Sequence, residues 1–178
     1  MAAGSSPTTP PVILVAGVGN IFCSDDGFGP AMASRLGARA FPGGVSVVDY
    51  GIRGLHLAYD LLDGYDALVL VDAIPATLSG SGPGEVCVLE VDTGAPGAPP
   101  QPRRLDAHSM DPVAVLTELR RLGGTPPPTY VVGCVPHTTE EGIGLSEPVT
   151  AALPEAERTV CELLDLLTAP TVHEAKEC

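Results

Sequence analysis

Basic residues are scarce in this chain of 178 residues, which has 9 Lys and Arg against 22 Asp and Glu and a formal net charge of −13. Nucleic acids and anionic membrane surfaces attract basic protein surfaces, so this balance argues against both as partners. An excess of acidic residues would favour binding of a cation or of a basic segment of another protein. The charge alone does not separate these partners from an ordinary acidic surface.

The five cysteines are an odd number and include no C-x-x-C pair. This pattern argues against a disulfide framework and a structural zinc site, and it predicts reduced thiols in the cytoplasm. No apolar run approaches the roughly 18 residues of a membrane span, and residues 1–11 lack the basic start and apolar centre of a secretory signal. We therefore predict a disordered leader over residues 1–11, one α/β domain over residues 12–168 and a flexible tail over residues 169–178.

Signature motifs of several enzyme classes are also absent. The first glycine-rich segment lacks the third glycine of G-x-G-x-x-G, because Phe22 occupies that position. The chain contains no GxxxxGK[ST], HExxH or GxSxG sequence. Nucleotide binding, zincin chemistry and serine hydrolysis therefore lack their signatures.

What the chain does contain is an alternation of short apolar strands and amphipathic helices. Five strands are predicted, at residues 12–16, 45–49, 67–72, 85–90 and 130–134. The stretch before Glu85 is rich in Gly, Ser and Pro and has no helical pattern, whereas a parallel neighbour needs a crossover that is usually a helix. We therefore predict an antiparallel edge strand at 85–90 in a mostly parallel, twisted, five-stranded sheet, within a three-layer α/β/α sandwich.

Acidic residues follow three of the predicted parallel strands. Asp26, Asp49 and Asp72 should therefore meet at one edge of the sheet, where open α/β folds bind ligands. The long proline-rich loop over residues 91–106 should return to this edge and bring His108 with it. Two carboxylates and an imidazole would form a three-ligand site for a divalent cation. In the first turn of a helix, Asp26 should be kept anionic by the helix dipole.

Each of these residues has a structural alternative. Asp25 and Asp26 could simply cap the first helix, where acidic residues are favoured. Asp49 and Asp72 could be turn residues at strand ends. His108 could be a solvated loop residue. The expected convergence on one edge is the argument for a site.

The loop after the last strand reaches the same edge. It carries His137, Glu140 and Glu141, which could form a rim that shapes substrate entry or could face solvent. Cys23 lies in the acidic loop itself, but no base is evident beside it, so a thiol nucleophile is not predicted.

Taken together, these segments resemble the nickel–iron hydrogenase maturation endopeptidases. The likeness runs from about residue 12 to about residue 167. It lies in five segments, in the family's order: residues 17–20 with 25–29, Asp49 with Gly51 and Gly54, residues 71–73, His108, and residues 133–136 with 144–146. Two positions depart from the family pattern, because Tyr50 replaces a glycine and Ile52 stands where many members have threonine.

The resemblance implies a phosphorylase/hydrolase-like fold and an endopeptidase that removes a C-terminal extension from the hydrogenase large-subunit precursor after nickel insertion. Asp26, Asp72 and His108 would be the nickel ligands and the catalytic residues. The nickel would arrive with the substrate, so the isolated protein could have an empty site or hold another divalent cation. Substrate contacts would come from Asp49, Gly51 and Gly54. The protein is expected to be a monomer.

The chemistry of the cut is open at this point, because nickel could polarise the carbonyl or activate water, or a carboxylate could act as the base. Two other functions also fit the scaffold. One is a non-enzymatic nickel-binding or nickel-delivery module. The other is a flavodoxin-like small-molecule domain, against which the missing phosphate-binding loop argues.

Overall fold

The structure, a computed structural model, describes residues 9–80, 82–93 and 112–169. The predicted leader and tail lie almost entirely outside these ranges, as do His108 and most of the loop over residues 91–106. The proposed limits of the domain therefore stay predictions.

Five strands form one sheet: β1 (Ile13–Val18), β2 (Val45–Gly51), β3 (Ala67–Ala73), β4 (Val86–Val91) and β5 (Thr129–Cys134). Their order across the sheet is β2-β1-β3-β5-β4. All neighbouring pairs are parallel except β4 and β5, which run antiparallel. The predicted mostly parallel sheet with one antiparallel edge strand is confirmed.

The helices are α1 (Phe28–Gly37), α2 (Gly54–Asp60), α3 (Ala76–Ser79), α4 (Pro112–Arg121) and α5 (Glu147–Thr168). Single 3₁₀ turns at Ser24–Gly27 and Leu61–Asp63 precede α1 and follow α2. The helix α3 lies in the stretch before Glu85 for which the sequence predicts no helix. That prediction is wrong for this single helical turn. Four residues are too few to serve as a crossover, and β4 is antiparallel as expected.

Side chains of the inner strand β1 alternate between two separate apolar clusters. Ile13 and Val15 pack with α1 and α5 on one face of the sheet, whereas Leu14 and Ala16 pack with α2 and α4 on the other. Burial on both faces explains why the central strands are continuously apolar in the sequence. The three-layer sandwich is confirmed.

The helix α5 has 22 residues and is amphipathic. Its buried face consists of Val149, Ala152, Ala156, Val160 and Leu164. Elsewhere on the helix, Glu157 forms ion pairs with Arg35 of α1 and with Arg39, which lies just after α1, so α5 is bound to the end of α1. Among the described residues, no helix combines the length and the apolar composition that a membrane span requires.

The start of α1 lies unusually close to the ends of two central strands. A Cβ atom added to Gly29 would be 2.0 Å from the Val18 carbonyl oxygen of β1 and 2.3 Å from the Val71 carbonyl oxygen of β3. Only glycine can occupy this position without a shift of backbone. This close contact places the preceding turn, Ser24–Gly27, over the carboxyl edge of the sheet.

Candidate active site at the carboxyl edge of the sheet

The structure brings Asp26 and Asp72 together at this edge. Asp26 lies in the turn Ser24–Gly27 and is partly exposed, while Asp72 is the penultimate residue of β3 and only 9% exposed. The charge of Asp26 acts on the carboxyl of Asp72, so the two groups lie within electrostatic reach of each other. Both side chains were predicted to meet here.

Both carboxyls are harder to ionise than ordinary aspartates. Burial, and then the negative charge of Asp26, raise the pKa of Asp72 well above its usual range, although the Ala73 N–H lowers it. Burial also raises the pKa of Asp26, whose Oδ2 accepts a hydrogen bond from the Asn20 N–H at 2.7 Å. Asp26 lies in the turn before α1, and burial is the largest influence on its pKa. That the helix dipole keeps Asp26 anionic stays a prediction.

None of the ion pairs among the described residues involves Asp26 or Asp72. A divalent cation would offset the repulsion between two neighbouring carboxylates, and carboxylate oxygens are suitable ligands for it. Within the described ranges, no three His, Cys, Asp or Glu side chains are grouped closely enough to hold a metal. The third predicted ligand, His108, lies outside those ranges, so the acid pair is the part of the predicted site that the structure describes.

Asp25, the neighbour of Asp26, has a different environment. It is completely buried, and its Oδ1 accepts the Ser146 N–H at 2.6 Å. Its Oδ2 accepts the Ser146 hydroxyl at 2.9 Å and the N–H groups of His137 and Thr138 at 2.8 and 3.1 Å. Burial alone would raise the pKa of Asp25, but these hydrogen bonds together lower it. Asp25 thus fastens the loop after β5 to the turn that carries Asp26.

Backbone hydrogen bonds join the same two segments. The Ser24 N–H donates to the Gly142 carbonyl at 2.9 Å, and the Gly142 N–H donates to the Phe22 carbonyl at 3.0 Å. The first residues of α1 receive no capping bond from a side chain, so the alternative in which the acid pair caps this helix is wrong. Sequence reasoning missed the Asp25 contacts, because no local pattern joins residues more than a hundred positions apart.

The predicted substrate-binding residues lie where β2 ends and α2 begins. Asp49 is exposed, and its Oδ1 accepts the Gly51 N–H at 2.9 Å, so the turn-forming role considered from the sequence is present. Gly51 has a φ of +53°, a left-handed conformation that favours glycine, and its carbonyl accepts the Gly19 N–H at 3.0 Å. Gly54 is the first residue of α2. The turn is thereby joined to the loop after β1.

The two departures from the family pattern differ in burial. Tyr50 is only 3% exposed, and its hydroxyl donates to Asp60 Oδ2 at 2.6 Å. Burial, and then Asp60, raise the pKa of this phenol, so it stays a hydrogen-bond donor. Ile52, by contrast, is 72% exposed. Tyr50 is therefore part of the contact between β2 and α2, and Ile52 is part of the surface.

A groove of about 320 Å³ opens beside the turn that carries Asp26. Its walls include Ile21 and Pro30 on one side and Ile143 and Leu145 from the loop after β5, and Asp49 also lines it. His137, Glu140 and Glu141 lie in this loop and are exposed, so the loop is both a wall of the groove and an acidic surface.

Solved structures with the same fold include a hydrogenase maturating endopeptidase and a hydrogenase maturation peptidase. The hydrogenase maturating endopeptidase HybD from Escherichia coli superimposes with a TM-score of 0.70 at 29% identity, covering 87% of this chain and 93% of that chain. The hydrogenase 2 maturation peptidase from a Thaumarchaeota archaeon gives a TM-score of 0.65 at 28% identity, covering 87% and 99%.

Curated sequences similar to this chain are also hydrogenase formation or maturation proteins. The hydrogenase 2 maturation protease of Escherichia coli K12 is 32% identical over 145 residues, which cover 81% of this chain and 85% of the relative. The hydrogenase expression/formation protein HupD of Rhizobium leguminosarum bv. viciae is 32% identical over 165 residues, covering 89% and 76%. The family model described as hydrogenase maturation protease (HycI) matches residues 30–163. This chain is a member of the hydrogenase maturation protease family.

Proposed function

We propose that this protease removes the C-terminal extension of a nickel–iron hydrogenase large-subunit precursor after nickel insertion, and that it recognises the nickel that the precursor carries. Family membership supports the reaction class. The observation that supports the metal-dependent step is the pair Asp26 and Asp72. These are two neighbouring carboxyls with raised pKa values, and no ion pair among the described residues involves either.

In this proposal Asp26 and Asp72, together with His108, bind the nickel of the precursor and thereby fix which peptide bond lies over the site. Binding of a cation would be favourable here, because its positive charge offsets the repulsion between the two adjacent carboxylates. A carboxylate with a raised pKa is also a better general base near neutral pH, which suits the acid pair to taking a proton from water. Nickel would come with the substrate and would not be a resident cofactor.

The segment from the end of β2 to the start of α2 would contact the polypeptide on either side of the cut. Asp49 lines the groove beside the acid pair, and the half-buried Gly51 and Gly54 follow it in the chain. We infer that the protein works as a monomer in the cytoplasm.

The test is cleavage of nickel-loaded and nickel-free large-subunit precursor, followed by mass spectrometry of the product. We expect the wild type to shorten only the nickel-loaded precursor. Asp26→Ala, Asp72→Ala and His108→Ala should each lose at least about 100-fold in rate, since each removes a proposed metal ligand and the two aspartate variants also remove a candidate base. Asp165→Ala, at an exposed aspartate of α5, is the matched control and should keep full activity.

Unimpaired cleavage by the three site variants would refute binding of the metal by these residues. Equal processing of the nickel-free precursor would remove nickel recognition from the proposal. A stable metal complex of the isolated protein, with no change in precursor length, would indicate a delivery module instead.

A further inference from the structure

We propose that Ile143 and Ile21 form two walls of a docking site for an aliphatic side chain of the client polypeptide, and that Asp25 is the positioning residue that holds the Ile143 wall in place. This inference rests on the proposed function, since it places a contact of the same client beside the acid pair.

The first observation is the exposure of large apolar side chains at one place. Ile143 is 86% exposed and Ile21 is 52% exposed, and both line the groove beside the turn Ser24–Gly27. Phe22, next to Ile21 in the chain, is 63% exposed. Single exposed apolar residues need no explanation, but apolar residues that share a groove mark a surface that another molecule covers.

The second observation is that the exposed position of Ile143 is fixed from both sides. On one side, Gly142 exchanges backbone hydrogen bonds with Phe22 and Ser24. On the other side, Ser146 gives both its N–H and its hydroxyl to the buried carboxylate of Asp25. The loop therefore holds Ile143 at the groove in advance of binding, which lowers the entropic cost of binding a client there.

The third observation is continuity with the acid pair. Gly27, which follows Asp26 directly, lines the groove. A polypeptide whose metal is held by Asp26 and Asp72 therefore extends over this groove. Asp49 is the charged side chain that lines the groove, whereas Ile21, Pro30 and Ile143 form an apolar wall. A charged side chain against this wall would lose hydration without gaining a partner, so the occupant that matches the wall is aliphatic.

The test uses the purified large-subunit precursor as the probe. Ile143→Ser should raise KM, and the Kd of labelled precursor measured by anisotropy, at least about tenfold, because the contact of an aliphatic side chain with Ile143 is lost. Its kcat should stay within about twofold, since Ile143 does not contact the reacting bond. Leu166→Ser, at a leucine of α5 that is 76% exposed, is the matched control and should change neither constant.

The role of Asp25 is tested by a graded pair of variants. Asp25→Asn removes the anionic acceptor, and Ser146→Ala removes only the hydroxyl donor, so both should raise KM more than they lower kcat, the second by less. Ser146→Thr keeps a hydroxyl and should restore KM toward the wild-type value. If Asp25→Asn fails to fold, Ser146→Ala and Ser146→Thr carry the test. Equal KM values for these two variants would refute the positioning role.

The docking site is overturned if Ile143→Ser keeps the wild-type KM and Kd, or if it lowers kcat alone. If the wild type binds the precursor without cleaving it, and Ile143→Ser weakens that binding, the docking site stands and the proposed cleavage fails. If the wild type neither binds nor cleaves the precursor, both are overturned.

Discussion

Asp25 and Ser146 are 121 positions apart in the chain, yet the Ser146 N–H lies 2.6 Å and its hydroxyl oxygen 2.9 Å from the Asp25 carboxylate. Asp26, the next residue, has a carboxyl that acts on Asp72 instead. The pKa of Asp25 is lowered and that of Asp26 is raised. Two identical neighbouring groups are thus used differently: the first fixes the geometry of the site, and the second belongs to the site.

The Asp25 carboxylate should be a major source of stability. Oδ2 accepts hydrogen bonds from three donors and Oδ1 from one, so the amide nitrogen of an asparagine would face at least one donor. We expect Asp25→Asn to lower the free energy of unfolding by about 2–3 kcal/mol. Urea denaturation measures this, with the exposed Asp165→Asn as the control. Equal stability of the two variants would contradict the importance of these bonds.

The Asp72 carboxyl should make the stability of the fold decrease as the pH rises. Folding raises its pKa, so the folded state keeps a proton that the unfolded state releases, and stability falls as the pH rises from about 3.9, the unfolded value, through the folded pKa. The asparagine side chain of Asp72→Asn cannot ionise, so the variant should not undergo this loss of stability as the pH rises. We expect the variant to be more stable than the wild type at pH 8, by on the order of 1 kcal/mol or more, and inactive.

The measurement is urea denaturation of both proteins from pH 3 to pH 8. Well below pH 3.9 the difference in stability should stop changing with pH, because Asp72 is then protonated in both the folded and the unfolded wild type. Asp25 has a lowered pKa, so its contribution is lost as the pH falls below about 3.9, but that loss is common to both proteins and cancels in their difference. A stability difference that is the same at every pH would contradict the assignment to Asp72.

The close contact at Gly29 should tolerate no side chain. An added Cβ would meet the carbonyl oxygens of Val18 and Val71 at 2.0 and 2.3 Å, so Gly29→Ala should displace α1 from the sheet. We expect a loss of at least about 3 kcal/mol in thermal or urea unfolding. Gly37→Ala, at the other end of α1 with nothing within 4 Å, is the matched control and should stabilise by about 0.5 kcal/mol. Similar effects of the two substitutions would show that the contact is relieved cheaply.

Much of the fold follows from local sequence pattern. Continuous apolar runs predict the buried parallel strands, since such strands are covered on both faces. The lack of a helical crossover before residue 85 predicts the antiparallel edge strand β4. The meeting of Asp26 and Asp72 follows from the same reasoning, because the carboxyl ends of parallel strands share an edge. The single turn α3 was missed, since four residues are too short for periodicity to show.

The roles of neighbouring residues within the site could not be predicted in this way. In the sequence Asp25 and Asp26 are equivalent acids before a helix, and both were considered as caps. The loop after β5 decides between them, because its N–H groups and the Ser146 hydroxyl reach only the carboxylate of Asp25. The same loop decides that Ile143 lies exposed beside the groove.

The sequence by itself determined the succession of the five strands and the longer helices along the chain, the antiparallel edge strand and the edge at which the acidic residues meet, because these depend on hydrophobic periodicity and chain direction. Only the tertiary structure decided which acid is fixed by hydrogen bonds and which is left for chemistry. The pKa of a carboxyl depends on its burial and on the donors and charges around it, and at this edge those come from segments far apart in the chain.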